Sequence, residues 1–262
     1  MVDAYGEFGR MRPLQADPVI ISACMFVFGS SEGRAQPLFP VLEDSGPSNF
    51  MQTGGTKRNP RNNNIKKLSI RVASGTLKGR KLDCPPGEIR PMTSMCKQAL
   101  FNIMFGRKEM EMLDLFSGSA SISIEGYSRG MVKSADVVEG DYGKKVVLNG
   151  NIDRLGLTGK IRPIISDAFA YIRRCAKKYD FIMLDPPFKM ENKQSLLELL
   201  EEKKLLKDNG IIVMHAKYTD PFDEQIGELV QTDYRRYGIN VLVYYQWEKD
   251  IIIDETEENE NV

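Results

Sequence analysis

The chain has 262 residues, 42% of them hydrophobic, and carries 36 Lys and Arg against 36 Asp and Glu. That is the profile of a folded globular protein with room for a substantial core, and a net charge of zero argues neither for nor against nucleic acid. Cys24, Cys84, Cys96 and Cys175 form no C-x-x-C pair and His215 is the single histidine. Neither a zinc site nor a disulfide framework is expected, which fits a reducing compartment; the protein is expected to be cytoplasmic, metal-free and monomeric. The longest apolar run, Val19 to Gly29, is broken by Ser22 and is too short to span a bilayer.

Residues 1–64 read as a poorly ordered N-terminal extension with a basic end. Acids at Asp3, Glu7, Asp17, Glu32, Glu43 and Asp44 argue against an organellar transit peptide. Nine Lys or Arg residues and no acid lie between Lys57 and Leu82, either a phosphate-binding arm or a solvated linker. A single domain follows over 65–249, divided into a hairpin and helix (65–106) and an alternating core (107–249), and residues 250–262 form an acidic tail.

Within that domain, Ser69 to Ala73 and Leu77 to Leu82 predict a hairpin about Ser74-Gly75, and Pro85-Pro86-Gly87 a turn. Thr93 or Ser94 caps a helix through Leu100, Ile103 and Met104. Strands are then expected at Glu111–Leu115, Ser134–Val138, Lys160–Ile165 and Tyr179–Leu184, and through Ile211-Ile212-Val213. Helices are expected between them at Ser119–Arg129, Asp141–Leu155, Ala168–Ala176 and Glu191–Lys204. Such alternation gives a parallel sheet covered on both faces. Val230–Tyr237 and Val241–Trp247, rich in β-branched and aromatic residues, close the domain as an antiparallel hairpin.

Open parallel sheets bind ligands at the carboxyl ends of their strands. The polar residues predicted there are Asp114 with Phe116-Ser117-Gly118-Ser119, Glu139 with Asp141, Asp167 with Ala168, and Asp185-Pro186-Pro187-Phe188. The first set is a strand, a turn of small residues and a helix start, which lets backbone approach a ligand. Glu139 follows at the spacing at which a ribose diol is bound. The loop lacks a full G-x-G-x-x-G, which disfavours a dinucleotide. Taken singly, Asp114, Glu139 and Asp141 could be turn or helix caps.

In this order, LDLFSGS, the acid of VVEGD, SDA at Ser166-Asp167-Ala168 and DPPF resemble motifs I to IV of the amino-methylating S-adenosylmethionine-dependent methyltransferases. The flanking IRVASGTLKGRKL, IRPMTSMCKQALFNIM and RRYGINVLVYYQ resemble the RsmD family, which methylates the exocyclic N2 of a guanine in 16S ribosomal RNA. The resemblance covers roughly Ser69 to Trp247. It implies an α/β, Rossmann-like class I fold: a mostly parallel seven-stranded sheet with a C-terminal antiparallel hairpin, preceded by a small β-hairpin and helix. It also implies S-adenosylmethionine as cofactor, and ribosomal RNA or a small-subunit assembly intermediate as partner. Asp114, Phe116, Gly118 and Ser119 would hold the methionine end, Glu139 and Asp141 the ribose, and Asp167 with Ala168 the adenine. Catalysis would fall to Asp185, Pro186, Pro187 and Phe188: a carboxylate and a carbonyl accept the amine hydrogens, and a ring stacks on the base. Arg71, Lys78, Arg80, Lys81, Arg90, Thr93, Lys189, Arg235 and Arg236 would meet RNA, the basic ones, with Lys66 and Lys67, through phosphates.

This chain has Ala120 where the family usually has glycine, and Met214 where it has a glutamate before the histidine. His215 itself reads as a packed structural residue and is not assigned a catalytic part. The competing readings are an adenine-N6 or glutamine amine methyltransferase, and a non-catalytic RNA-binding module whose cofactor loop has degenerated at Ala120 and Ser121.

Overall fold

The structure, a computed structural model, describes residues 69–85 and 92–251. The N-terminal extension with Lys66 and Lys67, the Pro86-Gly87 turn, Arg90 and the acidic tail beyond Ile251 lie outside the described residues.

Strands β1 (Ser69–Arg71) and β2 (Lys81–Asp83) pair with each other, and helix α1 (Ser94–Ile103) follows. The core then runs β3 (Met110–Leu115), α2 (Ser121–Ser128), β4 (Val132–Glu139), α3 (Lys145–Arg154), β5 (Ile161–Ile165), α4 (Ala168–Arg174), β6 (Tyr179–Leu184) and α5 (Gln194–Glu202). It closes with β7 (Leu206–Lys217), β8 (Gln225–Ile226), β9 (Leu229–Tyr237) and β10 (Asn240–Trp247). In the main sheet the order is β5-β4-β3-β6-β7-β10-β9-β8. The pairs from β5 to β7 are parallel, and those from β7 through β10 and β9 to β8 are antiparallel. The sheet thus has eight strands where the sequence predicts seven. The extra one, β8, is two residues long and carries no periodic signal.

Side chains alternate between the faces of the sheet and build two cores. Met112, Phe181, Val213, Leu242 and Tyr244 meet Leu100 and Phe101 of α1, Ile124 of α2 and Ile152 of α3. On the other face Leu113, Ile182, Ile212 and Val243 meet Ile172 of α4 and Leu196, Leu197 and Leu200 of α5. Each such fully buried aliphatic side chain contributes roughly 1.5–3 kcal/mol, so the central strands β3, β6 and β7 are fixed in register. The β1–β2 hairpin is joined to the core by polar contacts. Glu125, fully buried, pairs with Lys97 of α1 at 2.7 Å and Arg129 at 2.6 Å, and accepts the Ala73 N–H at 3.4 Å.

Several element ends differ from expectation for local reasons. Helix α2 begins at Ser121 rather than Ser119 because Ala120 is left-handed, at φ 59°. The helix expected from Asp141 becomes a short 3-10 turn, Tyr142–Lys144, and then α3, since the Asp141 carboxylate caps the Gly143 N–H at 2.8 Å. Helix α5 starts at Gln194 because Asn192 is left-handed, at φ 47°. Strand β7 begins five residues before Ile211, at Leu206, where polar Lys207 to Asn209 hide it. The strand expected from Leu77 is largely a turn, with only Lys81–Asp83 extended.

Candidate active site

The chain adds β4 and β5 on one side of β3 and then crosses to β6 on the other. That reversal opens a crevice between the carboxyl ends of β3 and β6. The loops leaving them touch, since Asp185 donates its N–H to Leu115 O at 3.3 Å.

The loop after β3 is strained. Phe116, Gly118 and Ala120 all have positive φ, at 64°, 56° and 59°, a region that costs a non-glycine residue about 1–2 kcal/mol. Two bonds to β4 hold it there: Ser117 N to Val138 O at 3.1 Å and Gly118 N to Glu139 Oε2 at 3.0 Å. Ser117 Oγ is buried without a hydrogen-bond partner, a polar atom awaiting one. Beneath the loop lies Asp114, 2% exposed, which accepts the Ser123 hydroxyl at 2.6 Å. Burial drives its carboxyl up to about 7; the Ser123 bond opposes this, and the nearby Asp185 and Glu139 carboxylates push the same way as burial. Among the described residues no cation pairs with Asp114.

Glu139 ends β4 and is almost fully buried. Its Oε1 accepts the Asp141 N–H at 2.9 Å and Lys144 Nζ at 3.1 Å, while Oε2 takes Gly118. Asp141 is exposed and committed to the cap of the 3-10 turn. Asp167, after β5, caps α4 by accepting the Ala170 N–H at 2.9 Å, and Ala168 beside it is buried.

Asp185 and Pro186 leave β6 into a loop that turns on the Met190 N–H to Pro187 O bond, 2.8 Å. The turn is clamped from within by Lys193, 4% exposed, whose ammonium reaches Met190 O at 2.7 Å, Phe188 O at 3.3 Å and Asp220 at 2.9 Å. Asp185 is partly exposed, and its Oδ1 lies 2.7 Å from His215 Nδ1. The Phe188 ring is tilted over the imidazole with centroids 5.4 Å apart, and Lys217 Nζ lies 5.8 Å from the same ring. A cavity of about 650 Å³ opens beside Phe188, Lys193, Lys217 and Asp220.

The predicted cofactor and catalytic residues therefore meet at neighbouring strand ends. The basic candidates are more dispersed. Arg71 bonds Gly79 O and Arg80 bonds Arg154 O, while Lys78 and Lys81 are exposed on or beside the hairpin. The Thr93 hydroxyl caps α1 by accepting the Cys96 N–H at 3.2 Å. On β9, Arg235 pairs with Asp233, and the Arg236 guanidinium stacks 3.6 Å from the Tyr218 ring centre. Lys189 is exposed beside Phe188. Two site residues escape sequence reasoning. His215 sits at a strand end like the others and was legible by the same rule, whereas nothing marks Lys193 as the clamp of a loop.

This strand order, with its switch-point crevice and acid-lined loops, defines the Rossmann-like class I methyltransferase fold. The family model described as "Conserved hypothetical protein 95" matches residues 70–246, and the chain belongs to this family, the RsmD family. It is 32% identical over 186 residues to "Putative rRNA methyltransferase YlbH" of Bacillus subtilis, a match covering 68% of this chain and 98% of that protein. It is 29% identical over 151 residues to "Ribosomal RNA small subunit methyltransferase D" of Escherichia coli, covering 56% and 75% respectively. Among solved structures, "Putative methyltransferase yhhF from Escherichia coli" superposes with a TM-score of 0.61 at 25% identity, covering 69% of this chain and 98% of that one.

Proposed function

We propose that the protein uses S-adenosylmethionine to methylate the exocyclic N2 amine of a guanine in small-subunit ribosomal RNA, with residues 65–249 as the catalytic domain. The observation that carries the chemistry is the placement of Asp185, partly exposed, beside a crevice in which the buried Asp114 pairs with no cation among the described residues. The family and the names of its members point to ribosomal RNA.

The crevice fits this cofactor on its own features. The Asp185 and Glu139 carboxylates both act against an ionised Asp114, so a cationic ligand relieves a repulsion that the protein alone must bear. Ser117 Oγ offers an unused hydrogen-bonding group, and a side chain at Gly118 would meet nothing within 4 Å, leaving the loop open to a close neighbour. Asp114 and residues 116–119 would hold the methionine end, Glu139 the ribose, and Asp167 with Ala168 the adenine. When bound, the cofactor supplies an electrophilic methyl group. Ala120 adopts the left-handed conformation that a glycine would take there, which weighs against a degenerate loop.

A purine amine is a weak nucleophile because its lone pair is delocalised into the ring. Asp185 Oδ2 and the Pro186 carbonyl accept no hydrogen bond among the described residues. They can take the two amine hydrogens, favouring a pyramidal nitrogen and stabilising the positive charge that develops on it. Pro187 keeps the turn rigid and adds no competing N–H. Phe188, half-buried beneath Lys217, gives the unstacked base a face to lie on.

The test is transfer of a labelled methyl group to assembled small subunits and to naked RNA, followed by nucleoside analysis. N2-methylguanosine is expected; labelled N6-methyladenosine, or label on protein, would replace this reading with a rival amine acceptor. Asp185→Ala should abolish transfer and spare cofactor binding. Equal loss of both would make Asp185 a cofactor or folding residue.

A further inference from the structure

His215, 2% exposed, lies near the end of β7 with a partner on each ring nitrogen. Nδ1 faces Asp185 Oδ1 at 2.7 Å, and Nε2 faces Asn240 Oδ1 at 3.1 Å. The Asn240 amide is fixed in that sense because its nitrogen donates to Tyr237 O at 3.3 Å. An amide oxygen only accepts, so Nε2 carries a hydrogen. The remaining question is where the proton between Nδ1 and Asp185 resides. An ordinary imidazolium holds its proton more than two pH units more tightly than an ordinary aspartic acid, so the proton stays on the ring.

The surroundings agree with a charged ring. Burial acts against the charge, but the Asp185 hydrogen bond and charge, helped by Asn240, lift the imidazole above its ordinary 6.5. Among the described residues Asp185 is the only anion in contact with it; Lys217 Nζ lies over the Phe188 ring, and Asp114 is coupled electrostatically to Asp185.

We propose that His215 is a positioning residue of the methyl transfer: as an imidazolium pinned by Asn240, it locks Oδ1 of Asp185 and leaves Oδ2 as the single carboxylate acceptor for the substrate amine. The inference rests on the reading of Asp185 given above and adds two residues to it. A freely rotating carboxylate offers either oxygen in many orientations; one held at Oδ1 offers Oδ2 in one, beside the Pro186 carbonyl. Above the pKa of the ring, Nδ1 loses its hydrogen and presents a lone pair to the carboxylate, and the lock opens.

Because the chain has one histidine, nitrogen-15 labelling of histidine gives an unobstructed view of this ring by magnetic resonance in the free protein. Both ring nitrogens should be protonated up to a midpoint that lies above 6.5 and that falls in Asp185→Asn. A wild-type midpoint at or below 6.5, or one unmoved by Asp185→Asn, would overturn the proposal. In methyl transfer, His215→Gln should lower kcat by about 10- to 100-fold, leave the cofactor dissociation constant unchanged, and remove the alkaline decline of the wild-type pH profile. Asn240→Leu should bring that decline to lower pH and Asn240→Asp should restore it; an alkaline decline that persists in His215→Gln sinks the lock. If His215→Gln does not fold, the resonance experiment decides alone. Absence of any RNA methylation by the wild type would defeat the functional reading while leaving the ion pair intact.

Discussion

Asp114 offers a direct measure of how much stability the crevice forgoes. Its carboxyl is fully buried, has one hydroxyl donor and, among the described residues, no cation, and is raised from 3.8 to about 7. An acid whose folded pKa is raised favours the neutral form in the native state. Its contribution is intact below 3.8 and is lost as pH climbs through the interval to about 7, beyond which the native state bears the whole penalty. At about 1.4 kcal/mol per pH unit, that penalty is roughly 4 kcal/mol. Asparagine at 114 keeps an acceptor for Ser123 and never ionises. Asp114→Asn should therefore match the wild type near about pH 4 and exceed it by roughly 2–4 kcal/mol near about pH 8, measured by urea unfolding across that range. The His215 contribution has a different window: its raised pKa adds stability that is full below 6.5 and declines above it, equally in both proteins. Curves that run parallel from acid to alkali would show that burying this carboxylate carries no such penalty, and the argument for a cation-seeking crevice would fail with it.

The same carboxyl should make cofactor binding release protons. Calorimetry in buffers of different ionisation enthalpy should show that release below neutrality in the wild type and none in Asp114→Asn. Glu139→Gln should weaken cofactor binding by about 1.5–3 kcal/mol, the value of a hydrogen bond to a charged group, while an unchanged dissociation constant would remove Glu139 from the ribose site. Ala120→Gly should stabilise the fold by about 1 kcal/mol, because glycine enters the left-handed region without a Cβ penalty; thermal melting would reveal the opposite sign if the methyl group is needed for packing. Lys193→Met should cost about 2–3 kcal/mol by removing the cation beside Asp220 and the donor to two carbonyls, and should lower kcat more than it weakens cofactor binding, since the clamp acts on the loop after β6.

The sheet was legible because short, largely apolar runs alternate with helical patterns along the chain. Glu111 to Leu115 and Tyr179 to Leu184 needed no more than their composition, and the polar residue at the end of each located the crevice. What escaped was set by single backbone or side-chain events. Ala120 and Asn192 turn left-handed and shorten the helices that follow, and no periodicity reports that. Strand β8 exists because Gln225 and Ile226 happen to meet Val230 and Leu229. Lys193 looks in sequence like one more solvent-facing lysine; its burial depends on Asp220, which the chain reaches only after another strand. His215 was visible but undervalued, since a lone histidine acquires meaning from what faces both nitrogens, and Asn240 comes from a different strand.

Strain and charge in this crevice act in the same direction. The loop after β3 holds Phe116 and Ala120 in a disfavoured region, and the Asp185 and Glu139 carboxylates both act against an ionised Asp114. Neither would persist without the two apolar cores that flank the sheet and the bonds that tie the loop to Val138 and Glu139. Asp185 is paired with His215, and it is the one assigned to the substrate amine. The other two are assigned to the cofactor; Lys144 meets Glu139 through Oε1, and Asp114 has no cation among the described residues. The division follows from chemistry: a carboxylate that must keep one orientation during the reaction is paired in advance, whereas one that recognises a cationic ligand gains most when that ligand is the first cation it meets.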